Sequence, residues 1–189
     1  SPNGPNFNMF NDGGVEVEIA ELLYSLVRVW KPKNAVETGT HLGISAAYIA
    51  AALAKEEEQS GHQGKVTTYE ILPHLQKQAI KLWEELELTK WIDPKLQESY
   101  AAEVEGDIDF LFLDSEPELR FNEFIKFFPQ VSYGGLIIIH DLNNSLGHHG
   151  QTHHDVYDWP YGYWVPKLGE YVKDLKVQTL HVPNPRGCT

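Results

Sequence analysis

The apolar positions along the chain follow two periodicities, which together predict an α/β fold. Apolar residues recur at helical spacing over 15–30 and in later segments, which predicts amphipathic helices. Between them lie short apolar runs rich in β-branched and aromatic residues, which are typical of buried parallel strands. This alternation predicts a doubly wound, mostly parallel sheet flanked by helices. The predicted helices are 15–30, 45–55, 73–88, 119–128 and 166–173, and the predicted strands are 35–37, 65–71, 95–98, 107–114, 133–141 and 175–181.

A glycine-rich stretch after the first predicted strand is the central feature of the sequence. Glu37 ends the apolar run, Gly39 and Gly43 bracket a turn, and a helix is predicted from Ser45. Glycines let a ligand approach the backbone, and a helix start offers free N–H groups. The acid precedes the first glycine, unlike the Gly-x-Gly-x-x-Gly pattern of dinucleotide-binding proteins. The stretch therefore predicts a small-molecule site at this turn.

Four acids fall at or near the ends of predicted strands: Glu37, Glu70, Asp114 and Asp141. Ligands of open α/β sheets bind at the carboxyl edge of the strands, so we expect these side chains to form one site. Glu70 taken alone could be a chance polar residue. Its context favours function, because a second strand that closes on an acid commonly holds ribose hydroxyls.

The segment 36–45 resembles the first motif of class I S-adenosylmethionine-dependent methyltransferases. It is most similar to small O-methyltransferases related to the catechol and macrolide-sugar enzymes, and the resemblance extends over 12–187. It implies a Rossmann-like methyltransferase sheet whose last, antiparallel strand is truncated here. The positions that it assigns to the cofactor S-adenosylmethionine are Glu37, Gly39, Thr40, His41, Gly43, Ser45, Glu70, Ile71, Ser99, Asp114 and Ser115.

The resemblance matches Asp114 to the acid near the reactive methyl group, and we expect the chemistry at Asp114, His140 and Asp141, which all follow apolar strands. In metal-dependent relatives an Asp-Asn pair follows the last of these strands, whereas Leu142 separates Asp141 from Asn143 here. The lysine that follows the equivalent of Asp114 in catechol-type enzymes is also absent. A magnesium site of Asp114, Asp141 and Asn143 therefore stays one hypothesis, and His140 as general base is another. His140 could equally only hydrogen-bond Asp141 and shape the strand end.

Composition limits the partners and the compartment. A net charge of −12 argues against a broad nucleic-acid surface, so we expect a small-molecule acceptor and no nucleic acid. The single cysteine, Cys188, excludes an internal disulfide framework. The sequence has neither a membrane-spanning apolar run nor a signal-peptide pattern, which predicts a cytoplasmic protein without membrane contact.

The domain organisation follows from the same pattern. We expect residues 1–11 to be a flexible lead-in and residues 12–189 to form a single domain. Within this domain, 142–165 are predicted to form a loop rich in histidine and aromatic residues. The aromatic residues suggest a substrate lid, or a patch covered by a partner subunit, which leaves a homo-oligomer open. The loop histidines could bind a metal, or could be solvated or face the substrate; they are His148, His149, His153 and His154.

Three functions fit the sequence. The leading hypothesis is a methyltransferase that acts on an oxygen of a small molecule or sugar. A nicotinamide-dependent oxidoreductase is disfavoured, because Gly39 and Gly43 lack the adjacent glycine that admits a pyrophosphate. A non-catalytic domain that binds the cofactor or serves assembly is the third, because fold does not imply function.

Overall fold

The computed structural model describes residues 14–140, 171–173, 175, 177, 178 and 180. The lead-in 1–11, the loop 142–165 and the last antiparallel strand lie outside the described residues. The helices are α1 (Val17–Trp30), α2 (Ile44–Ser60), α3 (Pro73–Glu85) and α4 (Pro117–Phe127), with short 3-10 turns at Thr89–Trp91, Ser99–Ala101 and Phe128–Gln130. The strands are β1 (Asn34–Thr38), β2 (Lys65–Glu70), β3 (Ile92–Leu96), β4 (Ile108–Leu113) and β5 (Val131–Ile139).

The five described strands form one parallel sheet in the order β3-β2-β1-β4-β5. The chain runs outward from β1 through β2 to β3 and then returns to the other side of β1 for β4 and β5. The order therefore switches direction between β1 and β4, and a crevice at such a point is where open α/β sheets bind ligands. The predicted doubly wound parallel sheet is confirmed.

Apolar side chains cover both faces of the sheet. On one face α1, α2 and α3 bury residues such as Leu23, Leu53 and Trp83 against the strands. On the other face α4 buries Phe124 and Phe127 against β4 and β5. Burying the sheet on both faces explains why β4 has the near-continuous apolar sequence that the pattern predicted.

The second helix is longer than predicted. The sequence predicted a helix over 45–55, but α2 continues to Ser60 and ends at Gly61 in the left-handed conformation (φ 72°). Glu56, which lies beyond the predicted helix end, is buried and ion-paired with Arg28 (2.5 Å) and Lys31 (2.9 Å) at the end of α1. The two cations stabilise an acid that the sequence alone marks as exposed.

The strand β3 begins and ends earlier than the predicted 95–98. Ile92 is the buried anchor of the strand, and Pro94 interrupts the apolar pattern that would have marked it. Proline is tolerated because β3 is the outer strand of the described sheet and needs no N–H at every position. Ser99, predicted at the strand end, opens the short turn that follows.

The glycine pair at the start of the predicted strand 133–141 lies in a bulge inside β5, which already begins at Val131. Ile108 pairs with Val131 and Phe110 pairs with Leu136, so β5 advances five residues while β4 advances two. Gly134 adopts φ 82° within the bulge, and its carbonyl accepts a hydrogen bond from the Trp30 indole (2.8 Å). Glycine allows this backbone conformation, and the bulge fixes the end of α1 to β5.

The described residues near the C-terminus partly follow the prediction. Tyr171 and Val172 are helical, as expected for the helix 166–173, and the Tyr171 ring packs edge-on against Phe124 and Phe128. Leu175 N donates to Val172 O, so the chain turns at this point. Of the predicted strand 175–181, the four residues that are described are not in a strand.

Candidate active site

Three of the four predicted acids lie at one edge of the sheet. Glu37 is near the end of β1, Glu70 is the last residue of β2, and Asp114 directly follows β4. Parallel strands bring their carboxyl ends to the same edge, so the sequence placed these three correctly. Asp141 and Asn143 lie outside the described residues, and so do the four loop histidines.

The turn after β1 is held by close protein packing. Gly39 adopts φ 86°, and a Cβ atom there would lie 2.3 Å from the backbone oxygen of Asp114. Gly43 adopts φ 77° at the start of α2, and a Cβ there would lie 2.7 Å from Ala79 and the Trp83 ring. Both glycines are thus required by neighbouring protein atoms, which the argument from ligand approach did not anticipate.

Glu37 is fully buried and only half satisfied. Its Oε2 accepts a hydrogen bond from the Thr68 hydroxyl (2.5 Å), which lies 2.6 Å from the Thr40 hydroxyl. Its Oε1 has no hydrogen-bond partner among the described residues. Burial raises the pKa of this carboxyl to about 8, against the opposing effect of the Ser45 and Thr68 hydroxyls. A buried acceptor without a partner is costly, so it marks a place where a ligand donor fits.

Glu70 ties the ends of β1 and β2 together. Its Oε2 accepts from the backbone N–H of His41 (2.8 Å), and its Oε1 accepts from Ile71 and Leu72 (both 2.9 Å). A carboxylate has about four lone-pair positions, so the side chain can still accept from a ligand hydroxyl. His41 adopts φ 47°, and its buried Nδ1 has no partner within the described structure. Ile71 is 61% exposed beside the site, as a residue that covers a ligand would be.

A buried network of charged and polar side chains lies at the carboxyl ends of β4 and β5. His140 is fully buried, with its Nδ1 2.9 Å from Asp114 Oδ1 and its Nε2 2.9 Å from Glu16 Oε2. Arg120 of α4 is also buried, and its Nη2 donates to Asp114 Oδ1 (3.1 Å). The same guanidinium donates to the backbone oxygens of His140 and Ser115 (both 2.7 Å). The network joins the start of α1, two strand ends and α4.

This network bears on the hypothesis that His140 is the general base. Ionised carboxylates only accept hydrogen bonds, so with both partners ionised both ring nitrogens carry protons. A ring in that state must first lose a proton before it can accept one from a substrate. The geometry favours the alternative that His140 shapes the strand end, with Asp114 and Glu16 as its partners. The base role stays a prediction.

Sequence analysis missed a further buried carboxylate at this edge, Glu123 of α4. It accepts hydrogen bonds from the hydroxyls of Thr38 (3.0 Å), Ser115 (2.6 Å) and Ser99. The signal in the sequence was an acid on the phenylalanine-rich face of a predicted helix, which the apolar periodicity hid. Ser99 and Ser115 were predicted to face the cofactor, and in the structure their hydroxyls contact Glu123.

The structure places all of the predicted cofactor residues at or next to the carboxyl ends of the strands. Around β1 and β2 these are Glu37, Gly39, Thr40, His41, Gly43, Ser45, Glu70 and Ile71, and around β3 and β4 they are Ser99, Asp114 and Ser115. No group of three or more histidine, cysteine or acidic residues suited to a metal ion occurs within the described ranges.

The sequence of the chain matches known proteins. A methyltransferase domain family matches residues 36–142, more than half of the 189-residue chain. The mouse catechol O-methyltransferase domain-containing protein 1 is 32% identical over 114 residues, which are 57% of this chain and 41% of the mouse protein. The chain thus spans about two fifths of the length of that curated relative.

Solved structures with low sequence identity share the fold. The Bacillus cereus O-methyltransferase in complex with S-adenosylhomocysteine has a TM-score of 0.76 at 18% identity, covering 95% of this chain and 82% of its own. The O-methyltransferase TomG from Streptomyces achromogenes in complex with S-adenosylmethionine has a TM-score of 0.74 at 16% identity, covering 94% and 80%. The chain therefore belongs to the methyltransferase domain family, with the Rossmann-like sheet of the small class I O-methyltransferases.

Proposed function

We propose that the chain is an S-adenosylmethionine-dependent methyltransferase that acts on an oxygen of a small molecule or sugar. The family match supports methyl transfer, and the two solved neighbours contain S-adenosylmethionine or its demethylated product. The observation that carries the proposal is the buried Glu37 Oε1 at the switch-point edge of the sheet, which has no hydrogen-bond partner in the part of the chain that the structure describes. The positively charged amino group of a bound methionine moiety would favour the ionised form of Glu37 and could donate to this oxygen.

The residues at the edge fit the parts of this cofactor. Glu37, Ser45 and the turn 39–43 would hold the methionine moiety. Glu70 would accept hydrogen bonds from the ribose hydroxyls with the lone pairs that its backbone partners leave free. Ile71 and Ser99 would lie on the adenine side, the former as an apolar cover.

The transfer needs an acceptor oxygen that can lose its proton. The cofactor, when bound, supplies a methyl group that is electrophilic because it is attached to a sulfonium centre. Asp114, fixed by Arg120 and His140, would orient the acceptor from the end of β4. Asp141, the next residue after His140, is the second carboxylate that we assign to this step.

The metal-dependent alternative is that a divalent ion such as magnesium binds at this edge of the sheet. Asp114, Asp141 and Asn143 are oxygen ligands of the type that magnesium prefers. Asp114 Oδ1 already accepts from Arg120 and His140, so this oxygen is neutralised by protein groups. Chelation of the active enzyme decides between the metal and a protein base.

The proposed partners and compartment concern features outside the site. None of the helices within the described residues is both long and apolar enough to cross a membrane. We propose a cytoplasmic enzyme with a small-molecule acceptor, and the net charge of −12 disfavours nucleic acid as the substrate. Assembly into a homo-oligomer stays open, and light scattering would measure it.

Two measurements test the proposal. Calorimetric titration should detect binding of S-adenosylhomocysteine and no binding of a reduced nicotinamide dinucleotide. Methyl-labelled S-adenosylmethionine with a panel of catechols, phenols and sugars should then give a labelled product. Absence of binding to the cofactor product would contradict the site, and binding without turnover on any acceptor would favour a non-catalytic domain.

A further inference from the structure

Glu123 is a fully buried carboxylate that connects three separate parts of the sheet edge. Its Oε2 accepts from the hydroxyls of Thr38 (3.0 Å) and Ser115 (2.6 Å), and its Oε1 accepts from the hydroxyl of Ser99. The three donors are remote in sequence: Thr38 ends β1, Ser99 lies in the turn after β3, and Ser115 follows Asp114 after the end of β4. A side chain from α4 thus connects three segments that lie far apart in the sequence.

Each of these hydroxyls adjoins a residue of the proposed cofactor site. Thr38 precedes Gly39, the first residue of the turn that carries the methionine moiety. Ser115 follows Asp114, and Ser99 opens the turn on the adenine side. Movement of any one hydroxyl would therefore displace a wall of the site.

The charge of Glu123 determines how these hydroxyls are oriented. A carboxylate has no proton to donate, so all three hydroxyls must donate to it. Each hydroxyl then has only lone pairs left to offer to any other group. One acid thereby sets both the positions and the hydrogen-bonding polarity of three side chains at the edge.

We propose that Glu123 is a positioning residue of the cofactor site. It holds the ends of β1 and β4 and the turn Ser99–Ala101 in the arrangement that binds S-adenosylmethionine. The inference rests on the proposed function, since it assigns the residue to that site. The alternative is that Glu123 only anchors α4, in which case its replacement would change stability and leave cofactor affinity unaltered.

The replacement Glu123→Gln separates these alternatives. Glutamine has nearly the same shape but places an NH₂ group where a hydroxyl now donates, so at least one hydroxyl must turn away. Thr38→Val removes one of the three hydroxyls while keeping the branched shape. Glu85→Gln is the matched control, because this glutamate lies on α3 with 64% of its side chain exposed.

The experiment is calorimetric titration of the full chain with S-adenosylhomocysteine, at a temperature where circular dichroism shows every variant folded. We expect Kd to rise about tenfold or more in Glu123→Gln, to rise less in Thr38→Val, and to stay at the parent value in Glu85→Gln. The double variant Glu123→Gln/Thr38→Val should bind no more weakly than Glu123→Gln, because the two changes remove one shared contact.

The failures of the two proposals differ. If the parent binds and Glu123→Gln binds within twofold of it, the positioning role is wrong and the proposed function stands. If the parent itself does not bind, the proposed function is wrong and Glu123 has no cofactor site to position. Should Glu123→Gln not fold, Thr38→Val keeps the test open: parent-like affinity in that variant would overturn the inference.

Discussion

Gly39 lies directly against the backbone of Asp114, 75 residues further along the chain. A Cβ atom on Gly39 would lie 2.3 Å from the Asp114 carbonyl oxygen and 2.9 Å from the Ser115 Cα. The Asp114 N–H also donates to the Thr38 carbonyl (3.0 Å), so the two strand ends are in contact where the cofactor is proposed to bind. The turn after β1 is therefore constrained by the fold before any ligand arrives.

The first prediction is that Gly39→Ala destabilises the protein far more than Gly61→Ala. Both glycines have positive φ, but a Cβ on Gly61 meets nothing within 4 Å. The Gly61 variant should lose about 1 kcal/mol from the left-handed conformation alone. The Gly39 variant should lose about 3 kcal/mol or more, because the backbone of Asp114 must move. Urea unfolding of both variants measures the difference; equal losses would show that the contact with Asp114 relaxes easily.

The second prediction concerns Glu37 and pH. Burial raises its pKa from 4.5 to about 8, so the folded protein keeps a proton that the unfolded chain loses above about pH 4.5. The contribution of this group to the free energy of unfolding is therefore fully present below about pH 4.5 and decreases as the pH rises to about 8. Above that pH it does not change further. Each pKa unit corresponds to about 1.4 kcal/mol, so the effect is on the order of a few kcal/mol.

The variant Glu37→Gln should show a flatter stability profile over this range, because glutamine does not titrate. Urea unfolding at several pH values between 5 and 8 provides the measurement, with Glu85→Gln as a control on the protein surface. If the parent and Glu37→Gln keep a constant difference across these pH values, the carboxyl does not hold its proton in the folded state.

The third prediction is that Glu70→Ala weakens binding of S-adenosylhomocysteine at least about tenfold, as expected for lost charge-assisted hydrogen bonds to the ribose. The structure adds a second cause, because Glu70 also holds the backbone N–H of His41. Glu70→Gln should have an intermediate affinity, since its one amide oxygen can accept from His41 N–H or from Ile71 and Leu72 N–H, but not from both sides. Calorimetric titration of both variants is the measurement, and parent-like affinity in Glu70→Ala would leave Glu70 as a strand-end residue only.

The fourth prediction is that Arg120→Met strongly destabilises the fold. The guanidinium is buried and serves Asp114 and two backbone carbonyls, so its removal leaves an acid and two acceptors without their donor. Breaking a buried ion pair from one side costs about 3–5 kcal/mol. Lys81→Met removes an exposed pair with Glu85 (3.7 Å) and should change the free energy of unfolding by less than about 1 kcal/mol. Chemical denaturation of the two variants compares them; similar losses would contradict the structural role of Arg120.

The local sequence pattern was sufficient to predict the site residues that lie at strand ends. Glu37, Glu70 and Asp114 each lie at or next to the end of an apolar run, so the hydrophobic periodicity alone assigned them to one edge of the sheet. The bulge at Gly134 was harder to predict from the sequence, because a glycine pair before an apolar run indicates a turn as readily as a bulge.

The hydrophobic pattern could not predict contacts between elements that are distant in the sequence. Glu16 and His140 are 124 residues apart and meet only because α1 packs beside β5. Glu123 meets three hydroxyls from three other elements, and nothing near it in sequence indicates them. Buried polar partners of this kind depend on the tertiary arrangement, which hydrophobic periodicity does not encode.

The last prediction concerns catalysis at the ends of β4 and β5. Asp141 follows His140 in sequence, and His140 Nδ1 lies 2.9 Å from Asp114. We expect Asp141→Asn to reduce turnover severely while leaving affinity for S-adenosylhomocysteine nearly unchanged, because the change is isosteric and lies beyond the residues assigned to the cofactor. The assay is methyl transfer to an identified acceptor, with calorimetry as the control for binding.

Chelation of the parent enzyme distinguishes the two mechanisms that assign a role to Asp141. If Asp114, Asp141 and Asn143 hold a divalent ion, a chelator should abolish turnover and added magnesium should restore it. If a protein base acts instead, chelation should have little effect and the rate should fall at acid pH as the base is protonated. The variant His140→Asn then tests whether His140, which lies between Glu16 and Asp114, is that base. If it is, the turnover that remains should no longer fall at acid pH. Turnover of Asp141→Asn near the parent rate, with and without chelator, would remove Asp141 from the mechanism and leave its carboxylate a structural role.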